Sequence, residues 1–154
     1  MHPVKHRLAA CLWLNRCSVK METTLSAPRR VAFGRIAPCI AVQDLDRSLG
    51  FYCGVPGFRK VVENGNPVGF VILRKDEAEV HLSYDKRHRA STHHVAQLMV
   101  DDAAALHQRS MASGVRIIKS VRDADFGLGC FVMADPDGNR IDVGQPFPQA
   151  GDGA

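Results

Sequence analysis

One strand, helix and hairpin pattern occurs twice in this chain, and a duplication of that kind restricts the folds open to it. In the first copy a strand ends at Val42 and is followed by Gln43-Asp44-Leu45 and a helix. In the second, Val100 is followed by Asp101-Asp102 and a helix, 58 residues later. Further on, Phe70-Val71-Ile72-Leu73 corresponds to Phe131-Val132-Met133-Ala134, and Glu79-Val80-His81-Leu82 to Arg140-Ile141-Asp142-Val143, at an offset of 61. His81 and Asp142 therefore take matching places. Two copies of a half-sheet pair to enclose a cleft, and the side chains that point into it decide what the chain does.

The elements follow from periodicity and punctuation. Ile36 to Val42 predicts a strand, being short, apolar and closed by a polar turn. Asp44 caps a helix whose Leu45, Leu49 and Tyr52 share one face, and Gly54, Pro56 and Gly57 stop it. Phe58 to Glu63, Gly69 to Leu73 and Ala78 to Tyr84 read as strands, the first two joined by Asn64-Gly65-Asn66. The polar run Asp85 to Thr92 links the copies. His94 to Val100 restarts the pattern as a strand, Ala103 to Ser113 is a helix capped by Asp101 or Asp102, and Val115 to Ser120 follows Gly114. A loop from Arg122 to Leu128 leads to a hairpin of Gly129 to Ala134 and Arg140 to Gly144. Its connection, Asp135-Pro136-Asp137-Gly138-Asn139, has ordinary turn chemistry: Pro136 presets a dihedral and Gly138 accepts a positive φ.

A chain of 154 residues has room for one domain core. Residues 1–30 hold six basic groups and one acid, leaving fourteen basic and fifteen acidic groups from Val31 onward. The domain is thus near neutral, which argues against nucleic acid as a partner and permits a ligand of either sign. Residues 1–30 read as a disordered extension, 31–148 as the domain, with modules at about 34–85 and 93–145, and 149–154 as a tail. The start is basic and then apolar from Leu8 to Leu14, as an export signal begins, but the run is short. Met21 is an alternative start. No stretch reaches the roughly 20 apolar residues that span a bilayer. Five cysteines, Cys11, Cys17, Cys39, Cys53 and Cys130, form no Cys-x-x-Cys pair, so a reducing cytoplasm is expected and Cys39 and Cys53 read as small buried thiols.

Ala41-Val42-Gln43-Asp44-Leu45-Asp46-Arg47-Ser48, then Phe51-Tyr52, Gly57-Phe58, Glu79-Val80-His81-Leu82, Gly114-Val115 and Asp135-Pro136-Asp137-Gly138-Asn139 resemble the glyoxalase/bleomycin resistance protein/dioxygenase (vicinal oxygen chelate) superfamily, nearest its bleomycin-resistance branch. The likeness runs from about Ile36 to Gln145. It implies an α+β fold of two paired βαβββ modules, a curved mixed sheet around a cleft, and a homodimer with ligand sites near the subunit boundary. It also implies metal ligands, in the enzymes, near the start of the first strand and on the last strand of each module. Here those positions are Ala37, His81, Val95 and Asp142, and Ala and Val donate no lone pair. His94 is the nearest replacement; one step along a strand it points to the opposite face unless a bulge intervenes. His88, His93 and His107 read as solvent-exposed.

By alternation Glu79, His81 and Ser83 share the cleft face, and Asp142 faces with Arg140. An imidazole and a carboxylate meeting across the cleft is one reading; the plainer one pairs Asp142 with an arginine and His81 with a backbone carbonyl. Both stay open. Phe126 holds an aromatic position of the family, and Cys130 replaces an acid there, while Asp123, Asp125 and Asp142 supply negative charge. Phe51, Phe58 and Phe70 read as core. The expected ligand contacts are His81, Asp142, Phe126, Arg140, Cys39 and Gln97, with no catalytic residue and no cofactor. The function expected is capture of an antibiotic-like or planar small molecule by a cytoplasmic homodimer. The alternative is a metal-dependent lyase or dioxygenase using His81 and Asp142.

Overall fold

The computed structural model describes residues 31–124 and 127–147. The export-like start, Met21, Cys11, Cys17, the loop residues Asp125 and Phe126, and the tail from Pro148 lie outside the described residues. The chain divides into two units at Gly34, and of the first only Val31 to Gly34 is described, without helix or strand.

The second unit is built from two modules of the same order. The first comprises β1 (Cys39–Val42), α1 (Leu45–Gly54), β2 (Arg59–Gly65), β3 (Val68–Lys75) and β4 (Ala78–Tyr84). The second comprises β5 (His94–Met99), α2 (Ala103–Ala112), β6 (Ile117–Ala124), β7 (Leu128–Ala134) and β8 (Arg140–Pro146). Each makes a four-stranded mixed sheet, in the orders β1-β4-β3-β2 and β5-β8-β7-β6, with one parallel pair apiece. The fold is α+β.

Local chemistry sets these elements. Asp44 and Asp102 cap the two helices, accepting from the Arg47 amide at 3.0 Å and the Ala105 amide at 2.8 Å. Each cap satisfies a backbone donor that the first turn leaves free, a contribution of about 1 kcal/mol. In β4 the alternation is plain: Val80 and Leu82 are buried, whereas Glu79, His81 and Ser83 are half-buried on the other face. The buried set joins Ile40, Val42, Phe51, Tyr52, Val71 and Leu73 with Phe131, Met133, Ile141 and Val143 of the second sheet in one continuous core. Among the described residues no helix is long and apolar enough to cross a membrane.

Several expectations are corrected. β1 begins three residues later than predicted, and ahead of it the Pro38 carbonyl still accepts from the His81 amide at 2.9 Å. β6 continues to Ala124, into the expected loop, by pairing with β7 through two register shifts. Cys39 and Cys53 are exposed and only Cys130, of the described cysteines, is buried. His107 is half-buried and packs edge-on to Phe131, and His88 donates to or accepts from Asn139 Oδ1 at 2.8 Å.

The turn Asp135–Asn139 does far more than reverse the chain. Asp135 Oδ1 accepts from the amides of Asp137 and Asn139 at 3.0 and 2.8 Å, and Oδ2 accepts from Asn139 Nδ2 at 2.9 Å and from the Tyr52 hydroxyl at 3.2 Å. Asn139 Nδ2 also donates to the Ala41 carbonyl at 3.0 Å, while Asp137 takes Arg47 and the Ser48 hydroxyl. The turn of the second module is thereby latched onto α1, β1 and the linker of the first. Gly138 holds φ at +87°, and an added Cβ would come within 3.3 Å of Ala90. Burial, then the neighbouring Asp135 carboxylate, pushes the Tyr52 phenol far above its ordinary range, so it remains a donor.

Asp135 and Tyr52 are 4% and 2% exposed, so breaking this bond strands buried polar groups. Asp135→Ala is expected to lower stability by about 3 kcal/mol and Tyr52→Phe by about 1 kcal/mol in urea unfolding. The double variant should cost less than the two singles together; simple additivity would show that the two groups do not interact.

Candidate functional site

Cross-strand register assigns the face of each sheet opposite the side that carries the core cluster. On the first sheet, one row runs Cys39, His81, Ile72, Val62, and its neighbours run Ala41, Ser83, Phe70, Asn64 and Glu79, Arg74, Arg59. On the second, the equivalent row runs Gln97, Asp142, Val132, Lys119, flanked by Met99, Gly144, Cys130, Arg122. Residues that face each other across strands share a side of the sheet, so each row lies on one face, and in the second sheet that face is itself buried at Val132 and Cys130. Cys39 thus lies beside His81, and Gln97 beside Asp142.

His81 and Asp142 occupy equivalent positions, yet each meets a partner within its own sheet. His81 Nε2 lies 3.0 Å from Glu79 Oε1, and Phe70 packs edge-on against the imidazole with ring centroids 5.3 Å apart. Asp142 Oδ2 lies 3.7 Å from His94 Nδ1, beyond hydrogen-bond range but within ion-pair range. Arg140 donates to the Thr92 carbonyl at 2.8 Å instead of pairing with Asp142. His81 and Asp142 share no hydrogen bond or ion pair, so the imidazole and carboxylate that the repeat suggested as a pair belong to two separate pairs.

His94 reaches Asp142 because β5 is bulged. Its register jumps from His94 opposite Arg140 to Ala96 opposite Ile141, leaving Val95 without a partner in the ladder. The extra residue restores His94 to the Asp142 face, while Val95 and Ala96 both pack on the core. The bulge has no mark in the sequence; only the wish to bury Val95 and Ala96 together hints at it.

Phe70 is the second residue that pattern reading misplaced. Ile72 opposes His81 as Val132 opposes Asp142, an offset of 60, so the strand before the last aligns one residue away from the sequence match. A shift of one residue exchanges faces. Phe131 is buried, and its structural counterpart is Val71; Phe70 stands on the same side of its sheet as His81. Phe51 and Phe58 are core, as read. Asp123, opposite Gly129, lies on the face away from Arg122.

Glu79 is the electrostatic centre of the first sheet. Its side chain is 10% exposed and receives Arg35 Nη2 at 2.7 Å, Arg74 Nε, and His81. The hydrogen bond from His81, then that from Arg74, holds its carboxyl well below the ordinary 4.5, at about 2. Glu79 and Arg35 also stand at a cavity of about 270 Å³ whose wall continues through Ile40, Val80 and Ile141 to Gln97 and Met99 of the second module. The two modules therefore share one pocket, apolar inside and polar where Glu79 and Gln97 line it.

The donor set does not fit a catalytic metal in the arrangement that the sequence suggested. Ala37 has no donor atom, Val95 belongs to the core, and His81 and Asp142 each have one nearby donor of their own. Among the described residues no three His, Cys, Asp or Glu side chains gather as a ligand set.

Because the folded-state value of Glu79 is depressed, its contribution to stability is present above about pH 4.5 and fades as pH falls through about 2. The stability difference between wild type and Glu79→Gln should therefore shrink across that window. His81→Ala should move the Glu79 carboxyl titration, followed by carbon-13 NMR, upward from about 2 towards 4.5. An unmoved midpoint would separate the two residues.

The model of the Glyoxalase/Bleomycin resistance protein/Dioxygenase superfamily matches residues 32–143. No curated protein sequence matches. Among solved structures, a bleomycin-binding protein complexed with bleomycin is similar at TM-score 0.64 and 21% identity, over 75% of this chain and all (100%) of that one. A bleomycin resistance determinant encoded on the transposon Tn5 is similar at 0.65 and 20%, over 75% and 100%. TnmS3, an antibiotic binding protein from Streptomyces sp. CB03234, is similar at 0.59 and 20%, over 77% and 100%. At such identities the likeness is one of fold.

Proposed function

The chain belongs to the glyoxalase/bleomycin resistance protein/dioxygenase superfamily, and from that premise we propose that it captures an antibiotic-like or planar small molecule without transforming it. The observation that carries this reading is the composition of the two rows: no three metal-donor side chains gather there among the described residues, while Phe70 and Ile72 offer apolar contact beside His81, and Gln97 lies beside Asp142. A flat ring system gains from stacking on an aromatic edge, and a few polar groups fix its orientation. The antibiotic and bleomycin binding named for similar folds agrees with this reading. The site belongs to a homodimer in the cytoplasm, and the ligand lies where the modules of two copies meet. Phe126 stays among the proposed contacts; it lies outside the described residues.

A second reading, a metal-dependent lyase or dioxygenase, has one observation in its favour: the bulge brings His94 and Asp142 to the same face. Elemental analysis of tag-free protein purified without chelator separates the two. Near one equivalent of divalent metal per chain, lost in His81→Ala, favours the enzyme.

Calorimetric titration against bleomycin-type glycopeptides and other planar antibiotics of both charge signs should give saturable heat with at least one class. Phe70→Ala should weaken that binding about tenfold, equivalent to about 1.4 kcal/mol. Silence across the whole set would remove the capture reading, and a monomer by sedimentation would remove the shared site.

A further inference from the structure

The described domain is near neutral, but its charge is not evenly spread. Arg35, Arg59, Arg74, Lys119, Arg122 and Arg140 lie on or beside the ligand-facing rows, six of the fourteen basic groups from Val31 onward. Only Glu79 and Asp142, two of fifteen acids, face them among the described residues. Neutral overall, the domain presents cationic surfaces where its ligand would sit.

The sharpest case is the Arg59–Arg74 pair. The two residues are directly opposite across β2 and β3, and both are exposed. Like charges in that position repel and lower the stability of the sheet unless a counter-charge lies between them. Glu79, opposite Arg74 on the other side, does not serve: its carboxylate is already shared by Arg35, Arg74 and His81. Arg59 has no ion-pair partner among the described residues. Two guanidinium groups side by side, with free donors and one carboxylate divided among three cations, form a receptor for an additional carboxylate or phosphate, which guanidinium binds through paired N–H donors.

Resting on the capture reading above, we infer that the ligand carries an anionic group, a carboxylate or a phosphate, anchored by Arg59 and Arg74 while its apolar part lies along Ile72 and Phe70. Lys119 and Arg122 extend the attraction on the second sheet. A cationic ligand of the same shape meets net repulsion on both faces. The inference thus narrows the ligand class to one opposite in charge to a cationic antibiotic.

The test uses two planar probes of matched size and opposite sign, 2-naphthoate and 2-naphthylmethylammonium, titrated into the full chain at low salt. Binding of 2-naphthoate alone, weakened about tenfold by Arg59→Gln and reduced by added salt, is the expected result. Arg59→Glu should abolish it. Arg59 is exposed and has no ion-pair partner among the described residues, and its replacement relieves the repulsion from Arg74, so Arg59→Gln should match or exceed the wild-type unfolding midpoint, which separates lost binding from lost fold. Tighter binding of the ammonium probe overturns the anion inference and leaves capture standing. Equal binding of both, or 2-naphthoate affinity unchanged in Arg59→Gln, also overturns it. If neither probe binds, the anion inference is overturned, and the capture reading stands or falls on the antibiotic series alone.

Discussion

The Asp135 carboxylate is the interaction on which the arrangement of the two modules depends. A carboxylate removed from water is costly unless its oxygens are satisfied, and this one accepts from two amides, a side-chain amide and a phenol. Three of those donors come from its own turn and fix that turn's shape. The fourth, Tyr52, comes from α1 of the other module. With Asn139 reaching the Ala41 carbonyl and Asp137 holding Arg47 and Ser48, the hairpin of one module becomes the clamp on the other. The apolar core supplies the driving force for packing, but it is non-directional. The latch supplies the direction, and so determines how the shared pocket is assembled.

From that arrangement the faces carrying His81 and Asp142 follow. β1 and β5 run parallel to β4 and β8, which puts Cys39 against His81 and Gln97 against Asp142. The repeat makes the two positions equivalent in geometry and leaves them different in chemistry. One side chain can act as donor, the other accepts, and each is held by a neighbour in its own sheet. Such held side chains present fixed hydrogen-bonding groups to a ligand at little entropic cost. The same rows collect Arg59, Arg74, Lys119 and Arg122, a local excess of positive charge that the near-neutral total conceals.

Much of this was legible in the residues themselves. The duplicated pattern marked His81 and Asp142 as equivalent, and strand alternation separated Glu79, His81 and Ser83 from Val80 and Leu82, because one face of β4 is buried and its period is two. Asp44, and the Asp101-Asp102 pair of which Asp102 proves to be the cap, announced their helices for the same reason that they stabilise them. What escaped was everything decided by register. The bulge at Val95 moved His94 to the Asp142 side, and a one-residue slip put Phe70 on the His81 face and Phe131 in the core. Neither change leaves a mark in composition, since apolar residues flank both positions. The latch escaped for another reason: Asp-Pro-Asp-Gly-Asn satisfies every local rule for a turn, and local rules say nothing of Tyr52, 83 residues away in sequence. The Arg59–Arg74 juxtaposition likewise appears only once the two strands are paired.

The central claim is that this duplicated fold holds a small molecule intact, with no metal-dependent step. Its most direct test is recovery of the ligand by mass spectrometry. Chelator-treated, tag-free protein would be loaded with a planar antibiotic that it retains on gel filtration, then denatured. The account predicts that the molecule returns at unchanged mass and in near-stoichiometric amount, with or without added divalent ions. A product of altered mass that forms only when the ions are restored would contradict it.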